Sequence, residues 1–197
     1  NAHVEEEEPS DYMVVVGPRG GGKTTLVVKA LAGRGKVVYV ALKPAYDTIQ
    51  KVLRFKMGIS PSVDFEIEYA FEGFEGFRGS DKPVVIVEID SNATSDAIRM
   101  QSQELKILCV DRKLAHGILV LADENAAFKL NDDSDRHAFV WVGGFDEAEV
   151  NSFLDNVGVL MPSDEASAKL RAQIVEEVGV TPQELQRVAG AAEEAAE

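Results

Sequence analysis

The sequence predicts an α/β fold: a five-stranded parallel sheet with helices on both faces, followed by a small C-terminal helical lid. Three observations carry that expectation. Short apolar, β-branched runs alternate with segments of helical period, the pattern that builds parallel sheets. The first run passes through a glycine-rich turn directly into a helix. From Gly144 onward the strand-like runs stop and only helical patterning remains.

The elements follow in order. Residues 1–10, with Glu5 to Glu8 ahead of Pro9, read as an acidic flexible lead-in. Tyr12-Met13-Val14-Val15-Val16 is the first strand, apolar throughout as a strand covered on both faces must be. The helix after the glycine-rich turn runs from Leu26 to Ala32 and closes at Gly33. Lys36 to Ala41 is the second strand, and residues 46–57 place Ile49, Val52, Leu53 and, less regularly, Met57 on one helical face. Phe65, Tyr69, Phe71, Phe74 and Phe77 come at a spacing that suits a core, and Gly73, Gly76 and Gly79 mark a loop. Pro83 to Asp90 is the third strand, with Val84 to Val87 all β-branched. A helix from Ala93 to Lys113 leads to a fourth strand, Gly117 to Ala122, and Ala138 to Val142 is the fifth.

In the tail, Phe145 to Asn156 is an amphipathic helix with Asp146 as N-cap and acids in its first turn. Ser163 caps a helix from Asp164 to Val178, which Gly179 ends. Thr181 caps another, with Pro182 at its first position. Its Ala/Glu-rich end, Ala189 to Glu197, offers few core positions and is expected to fray. The domain reading is a lead-in over 1–10, an α/β domain over 11–143 and a helical lid subdomain over 144–197.

The glycine-rich turn is Gly17-Pro18-Arg19-Gly20-Gly21-Gly22-Lys23-Thr24-Thr25, which matches G-x-x-x-x-G-K-[ST], the phosphate-binding loop of nucleoside-triphosphatases. Its glycines keep side chains away, so successive backbone N–H groups can converge on phosphate oxygens at the positive end of a helix. Lys23 adds a point charge for the β/γ-phosphates, and the Thr24 hydroxyl is a ligand for Mg²⁺. A metal shell and a base need further carboxylates. Glu88 and Asp90, at the end of the third strand, fall where open α/β sheets bind ligands. If the strand continues to Asp90, its period of two puts both acids on one face, about 7 Å apart along the chain. One would tend the metal and the other the attacking water; Glu88 takes the metal side, and which of the two is the base stays open.

Composition narrows the classes. The chain has 197 residues and is 45% hydrophobic, enough for one α/β domain with a small appendage. The single Cys109 excludes a disulfide framework, and His3, His116 and His137 show no metal spacing. A net charge of −14 argues against broad, sequence-independent attraction to nucleic acid, so direct nucleic-acid binding by this chain is not expected. No apolar stretch approaches the roughly 20 residues that cross a bilayer.

This order of parts resembles AAA+ ATPases and the related STAND ATPases over roughly residues 11–190. The strand bearing Glu88 is similar to a Walker B element, although such families mostly end it in Asp followed directly by Glu. The resemblance implies ATP as nucleotide with Mg²⁺. It also implies a polar sensor after the fourth strand, where Asp123, Glu124 and Asn125 stand and Asn125 best orients a water without added negative charge. Arg136 lies between the fourth and fifth strands, where relatives often place an arginine that answers the nucleotide. Gly179-Val180-Thr181-Pro182-Gln183-Glu184-Leu185 resembles the G-x-P…L lid motif, which implies that Pro182 packs over the nucleotide. Gln183 and Glu184 stand where a lid arginine might be, and Arg187 is a substitute for it.

The likeness narrows to the NTPase module of crinkler-type effector proteins. It rests on Val84 to Asp90, Gln101 to Lys106, Leu121 to Phe128, Phe139 to Val142 and Phe145 to Glu149, including the Glu-x-Asp strand ending. That resemblance implies a secreted protein acting inside a host cell, often at its nucleus, with further domains joined to the NTPase.

Three functions compete on these grounds. The first is a Mg²⁺-dependent ATPase, with ATP and ADP as ligands and a protein partner or self-association expected. The second is a nucleotide-dependent interaction switch with little or no hydrolysis. The third, a small-molecule or nucleotide kinase, lacks an Arg-rich acceptor-binding segment.

Overall fold

The computed structural model of the chain describes residues 11–42, 48–60, 71, 82–122, 124–128, 130, 136–156 and 165–194. The acidic lead-in, the aromatic segment apart from Phe71, Gly73, Gly76 and Gly79, Asp123, Ser163 and Asp164, and the last three residues lie outside the described residues. The chain divides into two compact units. One comprises residues up to Gly17 and Lys23–Trp141; the other joins Pro18–Gly22 to Val142–Glu197.

In the first unit the strands are β1 Tyr12–Val16, β2 Val37–Leu42, β3 Val84–Ile89, β4 His116–Leu121 and β5 His137–Trp141. They form one sheet in the order β2-β3-β4-β1-β5, with every neighbouring pair parallel. The five-stranded parallel sheet predicted from the sequence is therefore the one observed. Burial follows strand position. Every residue of β4 is buried and β1 and β3 nearly so, whereas the edge strands β2 and β5 expose residues along their length. This is why the central strands read as unbroken apolar runs.

Among the described residues, the α-helices of this unit include α1 Lys23–Ala30, α2 Ile49–Lys56, α3 Ser95–Lys106 and α4 Glu124–Phe128. The connection from β1 to β2 runs toward one edge of the sheet, and the later connections run the other way. Right-handed crossovers therefore put α1 on one face and α2, α3 and α4 on the other. The larger core lies on the second face. There Val14, Val16, Val85, Val87, Leu119 and Leu121 meet Ile49, Leu53, Ile98, Leu105, Ala126 and Ala127. The α1 face carries the alternate residues of the same strands: Val15, Ile86, Ile118, Val120 and, at the end of β3, Glu88.

Polar groups lock these layers. The Tyr12 and Ser102 hydroxyls share a buried hydrogen bond of 2.6 Å, which ties β1 to α3. The first turn of α2 takes Thr48 as N-cap, and the Ile49 N–H donates to Glu104 Oε2 at 2.9 Å. A carboxylate at a helix N-terminus suits both the orphan N–H groups and the dipole. Burial pushes the Glu104 carboxyl above its usual range, and backbone N–H groups of Ile49 and Gln50 pull it partly back. The helix predicted over Ala93 to Lys113 is shorter. It starts after Thr94, whose hydroxyl accepts from Ala97 N–H, and widens over Ile107–Asp111, where Arg112 N–H bonds to the carbonyl five residues back. That wider turn buries Leu108, Cys109 and Val110 together.

The second unit carries α5 Glu147–Asn156, α6 Glu165–Val178 and α7 Pro182–Glu194. Its core is Val150, Leu154, Ile174 and Leu185, with Phe145, Phe153, Val175, Val180 and Val188 packed around them. Asp146 caps α5 reciprocally: Glu149 N–H donates to its carboxylate at 2.8 Å, and Asp146 N–H donates to Glu149 Oε2 at 2.9 Å. This is a capping box with acids in both places. Arg171 on α6 reaches Asn151 and Asp155 on α5, at 3.1 and 2.5 Å. Thr181 caps α7 with Pro182 at its first position, and the helix runs to Glu194.

Candidate functional site

The first strand ends at Val16, and the loop that follows enters α1 at Lys23. Helix α1 starts three residues earlier than the apolar periodicity alone indicated, so Lys23, Thr24 and Thr25 form its first turn. Lys23 is 6% exposed. Its ammonium donates to the Gly17 carbonyl at 2.9 Å and to the Ala122 carbonyl at 3.0 Å. Those carbonyls stand just past the C-terminal ends of β1 and β4. A buried positive charge held at the ends of two neighbouring strands is well placed to meet an anion that enters the loop.

The tip of the loop, Pro18 to Gly22, belongs to the second unit. It turns through a Gly21 N–H bond to the Pro18 carbonyl at 3.1 Å. Gly20 sits at φ +77°, a region that side chains avoid. Gln183 N–H, in the first turn of α7, donates to the Gly20 carbonyl at 3.3 Å. A Cβ on Gly20 would stand 2.4 Å from Gln183 Oε1 and 2.7 Å from Gln183 Cβ. Pro182 Cγ lies 3.7 Å from where a Cβ on Gly22 would stand. Within this unit Pro182 and Gln183 therefore pack directly on the loop tip; the residue type gave no sign of how tight the Gln183 contact is. Arg19 is exposed at the tip and Pro18 half-buried.

The two strand-end acids differ in setting. Glu88 is the penultimate residue of β3, half-buried, in register with Ala41 of β2 and Val120 of β4. It shares the α1 face with the first turn that holds Thr24. Its Oε2 accepts a hydrogen bond from the Tyr39 hydroxyl of β2, a partner that reading the sequence did not identify. Strand β3 stops at Ile89, so Asp90 does not extend the alternation that would have paired it with Glu88. Asp90 is exposed and caps its own turn: its Oδ1 accepts from Asn92 N–H at 2.9 Å and from the Ser91 hydroxyl at 3.3 Å. Ile89, directly after Glu88, is 3% exposed and belongs to the larger core.

Asn125 is exposed near the start of α4, three residues after the Ala122 carbonyl that Lys23 engages. Arg136 is placed elsewhere. Its carbonyl accepts from Tyr12 N–H at 3.3 Å, and His137 pairs with Tyr12, so it stands at the start of β5. The loop leaves β1 at the opposite end, about 17 Å away over five strand residues. The chain does not bring Arg136 to its own phosphate loop, because parallel strands put the entrance of β5 beside the entrance of β1.

The donor set fits Mg²⁺. Among the described residues no three His, Cys, Asp or Glu side chains gather as a metal cage. Mg²⁺ keeps several waters and takes one or two carboxylates with substrate phosphates, so one hydroxyl and one carboxylate are sufficient protein ligands. Thr24 and Glu88 would hold it.

No protein-family model matches the sequence, and no curated protein matches it either. Solved structures do. A structure of the Drosophila ORC bound to DNA aligns over 98% of this chain and 57% of its own, with TM-score 0.59 and 14% identity. The Aeropyrum pernix ORC1 protein in complex with DNA aligns over 98% of this chain and 56% of its own, with TM-score 0.52 and 17% identity. The Drosophila ORC bound to GC-rich DNA and Cdc6 covers 98% of this chain and 35% of its own, with TM-score 0.56 and 10% identity. This chain thus spans little more than half the length of the first two. At such identities the likeness speaks to architecture: the chain has an α/β P-loop NTPase fold.

Proposed function

We propose that this chain is a Mg²⁺-dependent ATP-binding and ATP-hydrolysing module. The observation that carries the reading is Lys23: a buried ammonium bridging the ends of β1 and β4, at the start of a helix whose preceding loop is glycine-rich. A triphosphate at the loop would place anionic oxygens beside that charge, a charge-assisted pairing. Backbone N–H groups of the loop and of the first turn of α1 bind the phosphate oxygens. Thr24 and Glu88 would hold Mg²⁺ on the metal side, where it would supply charge neutralisation for the phosphates. Asp90, or Glu88 itself, orients the attacking water, and Asn125 stands close enough in sequence to the end of β4 to assist. ATP rather than GTP rests on the AAA+ likeness. The crinkler-like effector role, with action inside a host cell, rests on the sequence resemblance. A protein partner or a second copy fits a net charge of −14 better than nucleic acid does, so the DNA in the similar structures is not carried over.

One observation favours a second reading, a nucleotide-dependent switch with little hydrolysis. Asp90 spends its Oδ1 on a local turn, and the residue directly after Glu88 is a buried isoleucine instead of an acid. Pro182 and Gln183 on the loop tip give loop occupancy a direct route to the helices of that unit.

Two variants separate the readings. Glu88→Gln is expected to weaken both Mg·ATP binding and phosphate release. Asp90→Asn should keep binding and lose turnover by on the order of 10²–10⁴-fold if Asp90 is the base. Reversed phenotypes assign the base to Glu88. Phosphate release near zero in the parent chain, with ATP binding intact, selects the switch; release that requires an added acceptor would select a kinase.

A further inference from the structure

The Tyr39 hydroxyl donates to Glu88 Oε2, and nothing in the loop motif or the strand-end acids calls for that contact. Tyr39 lies on the edge strand β2, in register with Ile86. It is therefore the diagonal neighbour of Glu88 on the same face, a spacing that an aromatic side chain spans. This is the α1 face, where the helix turn holding Thr24 begins. The geometry points to Tyr39 as a positioning residue for the metal-side carboxylate, an inference that rests on the Mg·ATP reading of the site.

The physical reason lies in the length of glutamate. A glutamate carries one more rotatable bond than the aspartate that strands of this kind mostly present, so its carboxylate samples more positions and loses more entropy when fixed. An ionised carboxylate has two oxygens and several lone-pair sites. The tyrosine occupies one site on Oε2, which restrains the rotamer and leaves Oε1 for the metal side. The phenol has no charge, so it restrains the carboxylate without neutralising it. Tyr39 is half-buried, and its hydroxyl bond is correspondingly shielded from exchange with bulk water.

The test is the Mg²⁺ dependence of ATP binding, measured by titration calorimetry over a Mg²⁺ series and in EDTA. Four chains are compared: the parent, Tyr39→Phe, Glu88→Gln and the double variant. Phenylalanine keeps the ring and removes only the donor. The expected result for Tyr39→Phe is a roughly threefold to tenfold higher Mg²⁺ requirement, the size of one lost hydrogen bond, with metal-free ATP affinity unchanged. In the Glu88→Gln background the same change should have no further effect on the Mg²⁺ response. An unchanged or lowered Mg²⁺ requirement in Tyr39→Phe, while Glu88→Gln raises it, overturns the positioning role and leaves the site reading standing. An equal shift in both backgrounds overturns it too, because the tyrosine then acts on something other than Glu88. If Glu88→Gln also leaves the Mg²⁺ response unchanged, the metal-side assignment of Glu88 fails and the inference falls with it.

Discussion

Replacing Gly20 by alanine tests the packing of the loop tip at its tightest point. Gly20 holds φ +77°, and an L-residue in that region costs about 1–2 kcal/mol. The added methyl would also stand 2.4 Å from Gln183 Oε1 and 2.7 Å from Gln183 Cβ. The amide oxygen is the far end of a flexible side chain and can swing away. The Cβ is fixed to α7, so it moves only if the start of the helix moves, and overpacking of this kind costs about 1–3 kcal/mol. Together these give an expected loss of about 2–5 kcal/mol, read from urea unfolding followed by far-ultraviolet circular dichroism. The partition is checked by a cycle with Gln183→Gly, which deletes the offending Cβ. The helix-propensity cost of that glycine appears in both backgrounds and cancels. The double variant should recover the steric part, a coupling of about 1–3 kcal/mol, and keep the φ penalty. A Gly20→Ala chain as stable as the parent, or a cycle with no coupling, would refute the packing of Gln183 on the loop.

Two further outcomes follow from the α/β unit. Gly117→Ala places a methyl 2.8 Å from Cys109 Sγ and 3.0 Å from both Leu105 Cγ and Tyr12 Cβ in a fully buried strand; it should cost about 1–3 kcal/mol in urea unfolding, and a neutral variant would contradict that packing. Glu104 keeps its proton to higher pH in the folded chain than in the unfolded one, because burial outweighs its backbone hydrogen bonds. Its contribution to stability is therefore greatest at low pH and falls as pH rises through the raised value. Relative to the parent, Glu104→Gln should gain stability as pH rises above the usual glutamate range, and a pH-independent difference would count against the burial effect.

Much of this architecture was legible in the chain because burial dictates composition. Val84 to Val87 and the run from Ile118 to Leu121 lie in strands covered on both faces, so they could be read as strands without any partner in view. The loop was legible for a different reason: its glycines and Lys23 obey constraints set within nine consecutive residues. Contacts that depend on register were not legible. Tyr39 meets Glu88 only because β2 pairs with β3 in one particular alignment, and an edge strand carries little periodicity to reveal it. Arg136 looked well placed between two strands, yet parallel pairing puts it at the wrong end of the sheet for this chain's own loop. The widened turn at Ile107–Asp111 escaped as well, since one extra residue per turn leaves an apolar run that still looks helical. Asp90 shows the limit of spacing arguments: a period of two holds only while the strand lasts, and β3 ends one residue too soon.

The central claim is that the loop binds Mg·ATP through Lys23, and titration calorimetry of the chain with ATP in the presence of Mg²⁺ tests it most directly. The account predicts saturable binding in the parent chain and an affinity lower by roughly 10- to 150-fold in Lys23→Ala, the worth of a hydrogen bond to a charged group at about 1.5–3 kcal/mol. No saturable binding in a folded parent chain, or parental affinity in Lys23→Ala, would contradict it.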